Sequence, residues 1–265
     1  MKPHIPLVLA VAAGIVAQRE RRGRRSMERF AAASLETLLN AIQANDAQTG
    51  QHVRRVAAYA LVIADATGLD ERRQRAVERV ALFHDIGKIH EALFDIVHDP
   101  TALSPTERRE IDTHPRRGAE VLAPLAAFYP ELPTGVLSHH ERWDGKGYPR
   151  HLKGASTPLE ARIVSIADTF DALTHNRRYR LGQGLDAAVE VIAAGRGKQF
   201  DPDLIDLVLL PPVLDQLART HVQQHARSGR EGRRDGQRER VPDVSFRWRS
   251  QSLRPRRVGP AHDLD

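Results

Sequence analysis

Apolar residues recur through the middle of the chain at spacings of three and four, the period of a helix with one buried face. Between Phe30 and Ala44 that face is Leu35, Leu38, Leu39 and Ile42. Val53, Val56, Ala57, Ala60, Leu61 and Ala64 form the next, and Gly68 stops it. Ala76, Val77, Val80, Ala81 and Phe83 continue the pattern. Ser104 and Glu107 make a capping box around Pro105, which predicts a helix start. That helix is expected to run through His114, with Pro115 placed to break it. Ile163, Ile166, Phe170 and Leu173 lie on one further face, and Ala187 to Ala194 and Leu204 to Leu209 complete the set. No stretch alternates as a strand does. The fold class is therefore all-α, with a helical bundle as the architecture.

The two ends break this pattern. Ile5 to Ala17 carries no charge and leads into Arg19, Arg21, Arg22, Arg24 and Arg25. A spanning helix needs about 20 apolar residues, so this run is short, and it lacks a clear signal-peptide cleavage site. Residues 1–26 thus read either as a truncated membrane anchor, with association through residues 5–17, or as an apolar N-terminal helix. The basic flank puts the rest of the chain in the cytoplasm, attached to the inner face of the membrane if the anchor holds. From about Ser228 the chain is rich in Arg, Gln, Gly and Ser and has no period. Such a segment buries too little apolar area to offset its ordering entropy. Residues 216–265 are accordingly expected to be a basic, disordered tail after a domain of residues 27–215.

Charge divides in the same way. Forty Lys and Arg face 34 Asp and Glu, for a net +6 over 265 residues. Residues 1–26 hold six basic and one acidic residue, and residues 212–265 hold twelve and seven. The middle, with 22 basic and 26 acidic residues, is mildly acidic. A domain that reads DNA would carry its basic stripe on the folded part, so sequence-specific DNA binding is not expected. The absence of Cys excludes disulfides, thiolate metal sites and a cysteine nucleophile. Thirteen His remain as the compositional feature with chemical content.

Two segments concentrate that content. In His84-Asp85-Ile86-Gly87-Lys88, imidazole and carboxylate together suit first-row divalent metals. Lys88, three residues after Asp85, shares its helical face and can meet an anionic oxygen there. A surface His and Asp at a helix end is the plain alternative. The second segment is Ser138-His139-His140-Glu141-Arg142-Trp143-Asp144-Gly145-Lys146-Gly147-Tyr148-Pro149. Gly145, Gly147 and Pro149 forbid helix continuation, so a tight loop begins at once. Backbone N–H groups of such a loop can approach a phosphate closely. Tyr148 is placed to stack on a base or donate its hydroxyl, and Trp143 to pack beneath the loop. Here the alternative is a solvent loop after a surface His pair.

These segments, with Pro158 to Ile163, Ala167 to Thr174 and Arg177-Arg178-Tyr179-Arg180, resemble the HD-GYP family over about residues 40–210. That family is a branch of the HD-superfamily metal-dependent phosphohydrolases. The resemblance implies an HD-type helical domain and a cyclic di-GMP phosphodiesterase with two or three divalent ions (Fe, Mn, Ni or another). Carried over by position, it implies His52, His84, Asp85, His114, His139, His140 and Asp168 as ligands. Asp85 would bridge the ions, with His52, His84 and Asp168 mainly on one and His114 and His139 on the other. His140 would lie near the second ion or a third. Lys88 would hold a phosphate oxygen beside the attacking water, Arg177 and Arg180 would clamp phosphates, and Tyr148 would contact the nucleotide. Physical reasoning agrees. Two cations neutralise an anionic diester and lower the pKa of a water, so no protein nucleophile is required.

Two departures matter. Where the family often has Glu four residues before its first ligand His, this chain has Gln48. A neutral amide is a poor ligand, which favours two ions over three and the linear dinucleotide pGpG over GMP as product. The segment His90-Glu91-Ala92-Leu93-Phe94-Asp95 replaces the usual Pro-containing one and is read as shaping a lid. His90, His98, His151 and His175 match no ligand position and are expected on the surface or in packing. His4, His221, His225 and His262 are expected to be idle in the tails. Two alternatives stand beside the main reading: an HD-type phosphohydrolase of another nucleotide, and a non-enzymatic cyclic-dinucleotide receptor acting through a protein partner. Only about 40 residues precede the resemblance, so regulatory input is expected from a signalling partner, from the N-terminal segment, or not at all.

Overall fold

Helix caps set the register of the molecule. In the computed structural model, which describes residues 5–89, 104–175, 182 and 184–231, α1 (Ile5–Asn45) ends where Asp46 turns extended at φ −145°. The Asp46 carboxylate accepts the Gln48 N–H at 2.9 Å and so caps α2 (Ala47–Ala66). Such a cap is worth about 1 kcal/mol. Gly68 takes φ +69° at the end of α2, and Asp70 caps α3 (Glu71–Phe83) by accepting from Arg73 N–H at 2.8 Å.

Central in the bundle is α2. Val53, Val56, Ala57, Tyr59, Ala60, Ile63 and Ala64 are all buried, which is more than one stripe. Its neighbours therefore surround it: α1, α3, α7 (Leu159–Thr174) and α10 (Pro211–Glu231). The later part of α1 adds to the core through Ala31, Leu35 and Ile42, while Met27 and Phe30 are exposed. Among the described residues, the remaining α-helices are α4 (Pro105–Ile111), α5 (His114–Leu122), α6 (Glu131–Ser138), α8 (Leu185–Ala194) and α9 (Pro202–Val208). No strand is found among the described residues, and none of their helices is long and apolar enough to cross a membrane.

Two expectations change. The capping box of Ser104 and Glu107 forms, but α4 ends at Ile111 instead of continuing through His114. Pro115 lies in the first turn of α5, where its missing N–H has no partner to lose, so it starts a helix and does not break one. At the other end, the domain boundary expected at 215 falls inside α10. That helix continues to Glu231, with Leu214, Leu217 and Thr220 buried in the body that α2 centres. Residues 232–265, Arg177, Arg180 and the His90 to Asp95 segment lie outside the described residues.

A single turn of 3-10 helix, Ile86–Ile89, packs directly on the start of α5. A Cβ at Gly87 would overlap the His114 carbonyl oxygen and sit 2.7 Å from the Gly118 nitrogen. Both are backbone atoms and cannot rotate away. Gly87→Ala should therefore cost about 3 kcal/mol and push His114 away from its neighbour Asp85. A urea unfolding midpoint measured with metal content checks this, and an unchanged midpoint would contradict it.

Candidate metal centre

Helix ends deliver most of the titratable groups. His84 and Asp85 come directly after α3, His114 opens α5, and His139 and His140 come directly after α6. One device recurs at three of them. His84 Nδ1 donates to the Ala81 carbonyl at 2.8 Å, His114 Nδ1 to Ile111 at 2.7 Å and His139 Nδ1 to Val136 at 2.7 Å. Each carbonyl lies three residues back and fixes the tautomer, leaving the Nε2 lone pair for a cation. His52, on α2, is held differently. Its Nδ1 meets Asp171 Oδ2 of α7 at 2.7 Å.

Asp85 stands between two sets of imidazoles. Its Oδ2 is 3.6 Å from His52 Nε2 and 3.4 Å from His84 Nε2. Its Oδ1 is 3.3 Å from His114 Nε2 and 4.0 Å from His139 Nε2. Asp168 Oδ1 lies 3.3 Å from His52 Nε2. His140 joins the second set, its ring centroid 5.0 Å from that of His114 and 4.1 Å from that of His139. Ligand atoms of His52, His84 and Asp85 lie within 4.8 Å of one another, as do those of His114, His139 and His140. Lys88 Nζ is 2.7 Å from Asp85 Oδ2.

These residues fit divalent ions. His84 Nε2 and Asp85 Oδ1 are buried without a hydrogen-bond partner, a costly state for polar atoms. His114 Nε2 and His139 Nε2 stand 3.1 Å apart, although the Nδ1–H of each is already committed. Burial lowers the pKa of both imidazoles, so the contact brings two lone pairs together unless a cation lies beside them. Burial and the nearby His114 push His140 down to about 3. His52 is the exception: burial opposes its charge, yet Asp168 and Asp171 raise it to about 9. Its proton holds the place among carboxylates that a metal would take. Burial likewise opposes the Asp85 charge, but Lys88 and His84 hold that carboxyl well below the usual range.

A loop leaves the paired histidines. Glu141 is buried, and its carboxylate accepts the N–H groups of Arg150 at 2.7 Å and Leu152 at 2.9 Å. The intervening chain is thereby folded back on the helix end. Gly147 is needed there because a Cβ would overlap Arg142 N and lie 2.5 Å from His140 O. Tyr148 stacks on His140 with centroids 4.9 Å apart. Burial and the nearby Asp112 raise its hydroxyl pKa, which keeps it a donor. Trp143 packs with the Arg162 guanidinium 5.7 Å from its ring.

All seven residues inferred as ligands meet in one place, with Lys88 and Tyr148 beside them. Sequence reasoning missed Asp171, Arg55 and Glu141. Asp171 is buried and also accepts from Arg55, Nε at 2.7 Å and Nη2 at 3.0 Å, so it fixes His52 while itself held. Its signal was present: it lies three residues after Asp168, one turn along the same helix.

Comparison with known proteins places this geometry. The HD domain family matches residues 36–204. The chain is 39% identical over 178 residues to the cyclic di-GMP phosphodiesterase response regulator RpfG of Xanthomonas campestris pv. campestris, covering 66% of this chain and 47% of that protein. It is 36% identical over 174 residues to 3'3'-cGAMP-specific phosphodiesterase 2 of Vibrio cholerae, covering 65% and 33%. The chain thus spans half or less of the length of these curated relatives. Among solved structures, a cyclic GMP-AMP specific phosphodiesterase of V. cholerae is similar with a TM-score of 0.50 at 25% identity, covering 73% of this chain and 51% of that one.

Proposed function

Because this chain belongs to the HD domain family, we propose that its metal centre hydrolyses a phosphodiester bond of a cyclic dinucleotide, cyclic di-GMP first among them. The observation that carries this reading is Asp85, whose two oxygens face two separate sets of imidazoles. Relatives named for cyclic di-GMP and for 3'3'-cGAMP match at 39% and 36% identity, which supports the substrate class.

Two divalent ions of the iron, manganese or nickel type, held by His52, His84, Asp85 and Asp168 and by Asp85, His114, His139 and His140, would neutralise the diester and lower the pKa of a water. The chain's own residues do the rest. Lys88, half-buried beside Asp85, exchanges that contact for a non-bridging phosphate oxygen. Tyr148 keeps its proton and offers both a hydrogen bond and a ring face to the nucleotide. Arg177 and Arg180 clamp the phosphates. In the net reaction, one P–O ester bond gives way to a P–OH bond, and the ester oxygen leaves as a hydroxyl.

Gln48 supports a two-ion centre. Its side chain is exposed at the start of α2, and an amide is a weak ligand. The linear dinucleotide is then the product. The reaction belongs in the cytoplasm, with residues 5–17 as a membrane contact and a signalling partner as the source of control.

The test is incubation of manganese- or iron-loaded chain with cyclic di-GMP, 3'3'-cGAMP and cyclic di-AMP, with products separated by chromatography. Cyclic di-GMP should disappear fastest and pGpG accumulate. Faster loss of 3'3'-cGAMP would reassign the base preference, and GMP as the end product would overturn the two-ion reading. No turnover of any of the three would sink the enzymatic reading in favour of a receptor.

A further inference from the structure

Three histidines without a role in that chemistry meet on the far side of Asp171. His175 comes directly after α7, and His221 and His225 lie four residues apart on α10, which puts them on one face. One ring nitrogen of each lies within 4.8 Å of the others. The ring centroids are 4.9 Å apart for His175 and His221, 4.5 Å for His175 and His225, and 4.5 Å for His221 and His225.

The hydrogen bonds leave one pattern of free nitrogens. His175 Nδ1 is 3.1 Å from Asp171 Oδ1 and 3.2 Å from Thr174 Oγ1. Its Nε2 is buried with no hydrogen-bond partner, on a residue only 9% exposed. His221 Nδ1 is 3.2 Å from the Tyr59 hydroxyl, and when that Nδ1 donates, Nε2 is free for an ion. Burial, and then His225 and His175, push His221 down to about 3, and burial also lowers His225. Neutral imidazole is the form that binds metal. A carboxylate behind the first ring fixes its tautomer, as outer-shell carboxylates do at metal sites.

We infer that His175, His221 and His225 form a second metal site for a single zinc-type divalent ion, separate from the Asp85 centre. Three imidazoles suit zinc, nickel, cobalt or copper and not magnesium or calcium. A tetrahedral site with bonds of about 2.0 Å needs nitrogens about 3.3 Å apart, and a water fills its fourth position. His225 is exposed and can close that gap by rotating its side chain. Two of the three ligands lie beyond residues 36–204, so the site belongs to this chain's α10 and not to the matched family region. An ion there would pin α10 to the end of α7. Asp171 is common to both places, since it touches His52 of one and His175 of the other.

The test needs only zinc chloride and the full chain. Chelator-stripped protein is titrated with zinc against a chromophoric chelator, and bound zinc is counted by elemental analysis. Wild type should take up one equivalent more than His221→Ala/His225→Ala, whose Asp85 centre is untouched. His225→Ala alone removes an exposed side chain and should keep the fold. It should weaken that one equivalent by about tenfold or more and leave the others in place. Equal stoichiometry and affinity in wild type and both variants would overturn the site. Loss of turnover in an Asp85→Ala variant would not bear on it, so the two readings fail separately.

Discussion

Asp85→Ala should lose the proposed turnover and the metal together. The carboxylate faces His52 and His84 with one oxygen and His114 and His139 with the other, so its removal takes a ligand from both sets. What remains are imidazoles without a bridging anion, and Lys88 loses its partner at 2.7 Å. Metal stabilisation of transition-state charge is worth several kcal/mol, which corresponds to about 10³-fold or more in rate. Elemental analysis and a cyclic di-GMP turnover assay on the same preparation measure both effects. A variant that keeps full activity would show that the chemistry does not pass through this site. A variant that keeps its metal but loses activity would make Asp85 a reacting group and not a bridge.

Asp171→Asn should have the second large effect, although Asp171 reaches the proposed ions only through others. Its carboxylate is shared by His52, Arg55 and His175, at distances between 2.7 and 3.1 Å. An amide of the same shape has one acceptor oxygen, and its NH2 group would point at donors. Arg55, with a side chain 12% exposed, is left as a buried and unpaired charge. That should lower unfolding stability by about 3–5 kcal/mol. Loss of the outer-shell anion behind His52 should weaken metal binding by about 10–100-fold. Adding Arg55→Met separates the two effects. The double variant should recover much of the stability in urea denaturation but none of the metal affinity. If both recover together, Asp171 is a structural ion-pair residue only.

The bundle was legible because its helices carry clean apolar faces and marked starts, such as Ser104 with Glu107. Four of the seven inferred ligands stand in local motifs, since His84-Asp85 and His139-His140 adjoin recognisable Gly-containing turns, whereas His52, His114 and Asp168 were implied as ligands by the resemblance to the HD-GYP family. Residues that act through other residues were harder to see. Asp171 and Arg55 meet across 116 positions, and no local pattern announces such a pair. Glu141 reads as one more charge in a polar loop until its acceptors find the amides of Arg150 and Leu152. The helix α10 was hidden by composition. Leu214, Leu217, Thr220 and His221 keep the helical period, but Arg, Gln and Gly just beyond them weighed the segment toward disorder. His221 and His225 were set aside for the same reason, although their spacing of four was in plain view.

Glu141 comes directly after His140, and its two oxygens hold amides at both Arg150 and Leu152. The loop bearing Tyr148 therefore has no hinge of its own. Its near end is His140, and its far end is bound to Glu141, the next residue. A displacement of the loop that kept these two bonds would therefore carry His140 with it. Under the proposed activity, this loop would present its side chains to a nucleotide from a backbone held at both ends. Exchanging the exposed Lys146 side chain, with Gly147 and Arg150 left in place, would then alter that surface without altering how the loop is held.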